Sequence, residues 1–277
     1  GHMFLTTEGI FGVPLGVSAG FVFLFVLFGS LLDKAGAGEY FINLAFSLLG
    51  KYRGGSAKAS VIASGFAGII SGSSIANTVT TGTFTIPLMK RTGFRPEQAA
   101  AVEVSSSSNG QLMPPVMGAA AFIIAEFLGM SYTDVVVTAF IPAFVSYFGL
   151  FYIVHLESLK LGLKGMIKED IPPKFETFMK GIHYLIPILF LLFTLMILRE
   201  SAASAAFNAI MLLMLLMVVQ HPFRAYLTKE KITRDIWLSG FVDILAGMIS
   251  GAKNMVPIAI ATAIAGIIVG SITLTGL

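Results

Sequence analysis

Residues 54–115 read GGSAKASVIASGFAGIISGSSIANTVTTGTFTIPLMKRTGFRPEQAAAVEVSSSSNGQLMPP, and the rest of the chain is best read outward from them. Two apolar segments in this stretch are interrupted by small, polar, helix-disfavouring residues, at Ser71 to Thr78 and again at Ser105 to Pro115. In water such interruptions are ordinary loops. In hydrocarbon an unpartnered backbone group is costly unless protein or a water-filled cavity receives it. Paired breaks at membrane depth are the pattern of a solute site in membrane carriers.

Composition supports the membrane setting. The 277 residues are 56% hydrophobic and 12% charged, with mean hydropathy +0.86. The apolar residues come in runs of about 20, the length that crosses a bilayer as a helix. A net charge of +3, with basic residues scattered between apolar runs, is no nucleic-acid footprint. Absence of cysteine excludes disulfides and thiolate metal sites. Gly1-His2-Met3 is expected to be a cloning scar, and no signal peptide is visible, so the natural residues are expected to begin mid-protein. The remainder, 4–277, reads as a single membrane domain.

Phe11 to Leu32 forms a full-length apolar run, about 33 Å as a helix. Its Gly12, Gly16 and Gly20 share one face and suggest close packing against a neighbour. Phe41 to Leu49 is too short to cross and reads as an interfacial or tilted half-helix. Ala57 to Ile70 and Thr80 to Met89, about 21 Å and about 15 Å as helices, also fall short of roughly 30 Å of hydrocarbon. With the bend at 71–78 they predict a re-entrant hairpin over about 54–98. Ala99 to Val104 and Val116 to Leu128 then form one broken crossing, about 99–128. Connecting spans occupy 135–219, as Val135 to Val154, His183 to Leu198 and Ala202 to Val219. Ile236 to Ser250, with Trp237 and Asp243, reads as interfacial, and Asn254 to Thr273 as a further span.

Basic residues favour cytoplasmic loops. With the hairpin returning to its starting side, sixteen of the eighteen Lys and Arg residues fall on one face; Arg199 lies opposite and Lys253 near the start of the last span. Making 54–89 a true crossing would move the loop bearing Lys160, Lys164, Lys168, Lys174 and Lys180 to the outside. Gly54 and Gly93, at the two ends of the hairpin, therefore lie on the same side. This layout starts the chain outside, so an earlier crossing is expected to be missing. Ala265 to Ser271, AGIIVGS, echoes Ala67 to Ser73, AGIISGS, and is either the start of an inverted second repeat at about 236–277 or a chance likeness.

The candidate site follows from the breaks. Ser71, Gly72, Ser73, Ser74, Asn77 and Thr78 at the tip offer hydroxyls and an amide to a carboxylate, while carbonyls at a broken helix end suit a small cation. The second break supplies Ser105, Ser106, Ser107, Ser108, Asn109, Gly110, Gln111, Met113, Pro114 and Pro115, where proline prevents the helix from re-forming. The competing reading makes both breaks simple kinks with Ser, Thr and Gly serving helix packing. Glu103, next to the second break, is a candidate for proton or ion coupling, or else a packed acid partnered by hydroxyls or a lysine. Glu126 reads as capping or snorkelling. No Ser-His pairing, aspartate pair or zinc motif of an intramembrane protease occurs, so the chain reads as no enzyme. A pure assembly subunit is the other alternative.

The runs SGSSIANTVTTGTFTIPLMKRTGFRPEQAAAVE and NGQLMPPVMGAAAFIIAEFLG, with EGIFGVPLGVSAGFVFLFVLFG and GIIVGSITLTGL, resemble the fused permease of tripartite ATP-independent periplasmic (TRAP) transporters, most closely the branch that works with TAXI-type binding proteins. The resemblance implies an all-α polytopic membrane protein of the inverted-repeat, elevator type, in a bacterial or archaeal cytoplasmic (inner) membrane. It implies a periplasmic TAXI-type solute-binding protein as partner, a small carboxylate as solute, a sodium or proton gradient as drive, and no further cofactor. On this resemblance the hairpin tip maps to Ser71, Gly72, Ser73, Ser74, Asn77 and Thr78, and the facing unwound segment to Asn109, Gly110, Gln111, Met113, Pro114 and Pro115. Where the family commonly has a Thr-Gly-Gly-Gln pattern, this chain has Ser107-Ser108-Asn109-Gly110-Gln111. The first crossings, the small-subunit region and the second hairpin are expected to be absent, and this chain alone is expected not to transport. A carrier of the wider ion-transporter superfamily using no binding protein is the runner-up.

Overall fold

A computed structural model describes residue 7 and residues 9–227 and 234–275. Gly1-His2-Met3, expected from the sequence to be a cloning scar, and Lys229 and Lys231 of the basic loop, lie outside them. Among the described residues all regular structure is helical. Five helical stretches are long and apolar enough to cross a membrane: Val13–Lys34, Tyr132–Lys160, Lys168–Ile197, Ala202–Phe223 and Ile236–Thr275. The chain is a multi-pass membrane protein. Its helices divide into two compact units, one of residues 1–35, 119–135 and 187–277, the other of residues 36–118 and 136–186.

The first unit holds α1 (Val13–Lys34), which passes through a π-helical turn at Ser18–Val22. Gly20 there departs from helical geometry, and nothing approaches the open side of Gly16 or Gly20. The glycines that permit close packing lie instead on the last helix, where a side-chain carbon at Gly247 or Gly251 would meet Leu31 or Leu27. Phe25, Phe122 and Tyr132 stack at the core, Phe122 and Tyr132 with ring centroids 4.2 Å apart. Phe122 belongs to the short helix α6 (Ala119–Leu128), where Glu126 is exposed.

The segment 236–250 is not a separate interfacial helix. It is continuous with the final span in one 42-residue helix, Arg234–Thr275. Its polar groups find partners within the unit: Asp243 Oδ2 lies 2.8 Å from His221 Nε2, and Asn254 donates to Ser30 Oγ at 3.1 Å. Residues 265–271 stay helical, without the left-handed glycine that ends their counterpart at Gly72.

In the second unit α2 (Ala37–Leu49) is a core helix. Phe46, Ala45 and Ile42 are buried against Ala59 and Ala63 of α3 (Gly55–Ser71), and at 13 residues α2 is too short to cross a membrane. Both α3 and α4 (Ser74–Arg91) are longer than their apolar runs, their Ser and Thr hydroxyls being satisfied by the helix backbone, as Ser60 is by the Ser56 carbonyl. Two residues, Gly72 and Ser73, join them. The open end of the hairpin is closed by Ser56 and Thr92, whose hydroxyls are 2.6 Å apart. α5 (Pro96–Asn109) packs on both, and α7 (Tyr132–Lys160) brings His155 Nδ1 to 2.9 Å from Lys58 Nζ. The following loop returns to the same end: Gly54 donates to the Lys164 carbonyl and Met166 to that of Gly50. Lys51, Arg53, Lys90, Arg91, Arg95 and Lys164 thus gather at one end of this unit, the arrangement the charge pattern predicts for them.

Gly54 and Gly93 have φ of +63° and +104°, and a side-chain carbon at Gly54 would run into the Ser158 hydroxyl. Reporters of sidedness therefore belong at exposed neighbours. Single cysteines at Arg53 and Glu97 are expected to react with an impermeant maleimide from the same side of oriented vesicles. Reaction from opposite sides would make residues 55–91 a crossing.

Candidate functional site

The tip turn is tighter than the run of small polar residues suggests. Gly72 takes a left-handed conformation, φ +57°, where its amide caps α3 through the Gly68 carbonyl. Ser73 is the N-cap of α4, its hydroxyl accepting from the Ala76 amide at 3.3 Å. Ser74, Asn77 and Thr78 are already helical, and the Thr78 hydroxyl donates to the Ser74 carbonyl at 2.8 Å. Ser71 donates to the Ser73 carbonyl at 3.3 Å.

The second break is displaced in the same way. Ser105 to Asn109 remain helical; Ser106 donates back to the Val102 carbonyl at 2.8 Å, which helix geometry tolerates. The backbone opens only from Gly110, through a 3₁₀ turn at Gly110–Leu112 and an extended Met113. The Pro114-Pro115 bond is cis, and the Gly118 amide closes the segment on the Gln111 carbonyl at 2.8 Å.

The two openings meet. Gln111 Nε2 donates to Ser74 Oγ at 3.0 Å. A side-chain carbon on Gly72 would lie 2.2 Å from the Met117 carbonyl oxygen, and one on Gly68 2.5 Å from Gly110 Cα. On Gly110 it would lie 2.7 Å from Asn77 Nδ2. Asn77 is buried and donates to the Ser64 carbonyl at 2.9 Å. The structure therefore brings Ser71, Gly72, Ser73, Ser74, Asn77, Gly110 and Gln111 together. Ser108 is exposed, Asn109 and Pro114 are half-buried, and Met113 packs toward the apolar cluster around Tyr147.

Glu103 sits beneath this junction with no exposed surface. Its Oε2 accepts from Thr85 at 2.5 Å, and its Oε1 from Thr81, from Ser107 at 3.0 Å and from Ser64 at 3.3 Å. The donors come from α3, α4 and α5. Among the described residues no Lys or Arg lies within ion-pair distance of it. Of the two structural partners weighed for it, hydroxyls hold this carboxyl. Ser64, Thr81 and Thr85 went unnoticed as partners in the sequence, although Asn77, Thr81 and Thr85 recur every four residues along one face of α4.

Replacing Glu103 with Leu removes the acceptor of Thr85 and Ser107 and the carboxyl partner of Ser64 and Thr81, of which Thr81 retains the Asn77 carbonyl, at about 1–3 kcal/mol for each hydroxyl left unsatisfied; Glu103→Gln keeps one acceptor oxygen. Thermal unfolding in detergent is expected to show the larger loss for Leu. An equal or smaller loss for Leu than for Gln would contradict the cage.

Comparison with known proteins gives the setting. Residues 3–277 match the family described as "Tripartite ATP-independent periplasmic transporter, DctM component". Over 91 residues the chain is 36% identical to the C4-dicarboxylate TRAP transporter large permease protein DctM of Rhodobacter capsulatus, covering 33% of this chain and 21% of that one. It is 23% identical over 168 residues to the 2,3-diketo-L-gulonate TRAP transporter large permease protein YiaN of Escherichia coli, 60% of this chain and 39% of that one. To the isethionate TRAP transporter permease protein DctMQ of Oleidesulfovibrio alaskensis it is 27% identical over 165 residues, 57% and 24% of the two chains. The matches thus span well under half of these relatives' lengths. With the family match running over nearly its whole length, the chain belongs to the DctM-component permeases of tripartite ATP-independent periplasmic transporters.

Proposed function

We propose that this chain supplies one hairpin and its facing unwound segment to an ion-coupled permease that takes up a small organic anion, a carboxylate. A periplasmic binding protein, of the TAXI type on the sequence resemblance, delivers the solute. The membrane is the cytoplasmic membrane of a bacterium or archaeon, and a sodium or proton gradient drives uptake.

The observation that carries this reading is the meeting of two helix interruptions, Gly72-Ser73 and residues 110–118, inside an apolar protein. The helix ends there differ in polarity. The N-terminus of α4 carries a partial positive charge suited to an anion, while the C-termini of α3 and α5 present carbonyls suited to a small cation. Ser73, Ser74 and Gln111 stand at that junction with polar groups, and Asn77 fixes α4 to α3 directly behind it. The solutes that these relatives are named for, a C4-dicarboxylate, 2,3-diketo-L-gulonate and isethionate, are all small anions.

In proteoliposomes holding the complete permease and its binding protein, Asn77→Ala is expected to slow uptake by on the order of tenfold, the loss of one buried hydrogen bond at the site. Ser73→Ala, which removes the N-cap, is expected to slow it as well. Uptake unchanged in both variants would remove the tip from the site. Wild-type uptake at full rate without the binding protein would favour the carrier that needs none.

A further inference from the structure

We propose that the short helix α8 (Lys174–Gly181) and the lysine-bearing loop before it form a membrane-surface anchor that engages anionic phospholipid. This inference is independent of the transport reading. The segment follows the end of α7 at Lys160 and makes up the polar, N-terminal part of the stretch Lys168–Ile197, ahead of its apolar helix α9 (Leu185–Leu192).

One face of α8 is committed to the protein. Gly181 lies flat against Tyr40, where a side-chain carbon would come 2.1 Å from the ring; Thr177 is buried, and the Tyr40 hydroxyl donates to the Phe178 carbonyl at 3.4 Å. A second face is apolar and uncovered. Phe175, Phe178, Met179 and Ile182 recur at i, i+3, i+4 and i+7, and Phe175 is 80% exposed. The third face is charged, with Glu176 and Lys180 paired at i, i+4. A helix with an apolar sector beside a charged one, rigidly held to a membrane protein, lies in the interface plane with its apolar sector among the upper acyl chains.

Charge selects the lipid. Residues 160–182 carry five lysines against Glu169, Asp170 and Glu176. Lys160, Lys164, Lys168 and Lys174 are exposed, and among the described residues they make no ion pair. Ile167, 69% exposed, adds a second apolar contact between Lys164 and Lys168. Lysines set around an apolar wedge at this level face the phosphate and glycerol groups of an anionic leaflet.

The absence of cysteine makes the test direct. Met179→Cys in the full chain carries an environment-sensitive fluorophore, in vesicles of phosphatidylcholine alone or mixed with phosphatidylglycerol. Lipids spin-labelled high on the acyl chain are expected to quench it, by about twofold more when phosphatidylglycerol is present. Lys164→Gln, Lys168→Gln and Lys174→Gln together are expected to abolish that difference. Water-like emission quenched by aqueous iodide in both vesicle types would overturn the proposal. So would equal lipid quenching with and without phosphatidylglycerol, or a spectral shift that follows protein concentration instead of lipid, the mark of a contact between copies.

Discussion

A single carboxyl group, Glu103, organises the interior of the second unit. It lies wholly inside an apolar bundle, and hydroxyls from α3, α4 and α5 converge on it. A polar group in that position is tolerable only when its hydrogen-bonding capacity is met. The need explains why α4 carries threonines on its buried face, and hence why α3 and α4 lack the hydropathy of a span. The hairpin is held by a polar seam where an ordinary transmembrane pair would use apolar contact alone.

From that seam the geometry of the tip follows. Thr81 links Glu103 to the Asn77 carbonyl, and the Asn77 amide reaches back to the Ser64 carbonyl. With α3 and α4 fixed, Gly68 can lie directly against Gly110, and Gly72 against Met117. The openings in the two helical segments are then adjacent, each satisfying some of the other's polar groups, as Gln111 does for Ser74. Irregular backbone in a membrane protein survives where protein or a cavity receives it; here each break receives the other.

Much of this was legible in the sequence. The long apolar runs marked the spans from Phe11 to Leu32 and from Val135 to Val154 within a few residues, because lipid imposes length and composition directly. The junction of the tip with the second break was legible as two clusters of small polar residues. Their boundaries were not: serines at 105–108 and Ser74 to Thr78 stay helical through local hydroxyl bonds and an N-cap, which composition alone does not separate from a loop. Long-range pairing hid more. Asp243 reads as part of a separate interfacial segment and Asn254 as the start of the last span, yet both lie inside one helix, accommodated by His221 and by Ser30, the latter 224 residues from Asn254 in the chain. The hydroxyl cage around Glu103 had a visible sign in the four-residue spacing of Asn77, Thr81 and Thr85, whereas its contribution from α3 became evident only from packing.

The central claim is that the hairpin tip and the unwound segment form one working site. The most direct test is the pair Ser74→Cys and Gln111→Cys, placed together in a complete permease otherwise free of cysteine, where a short bis-methanethiosulfonate replaces the reach of the Gln111 side chain, whose Nε2 lies 3.0 Å from Ser74 Oγ. The reagent should join the two in high yield and stop solute uptake in proteoliposomes, and reduction should restore it. A pair that does not cross-link, or a cross-linked permease that transports at the unmodified rate, would contradict the account.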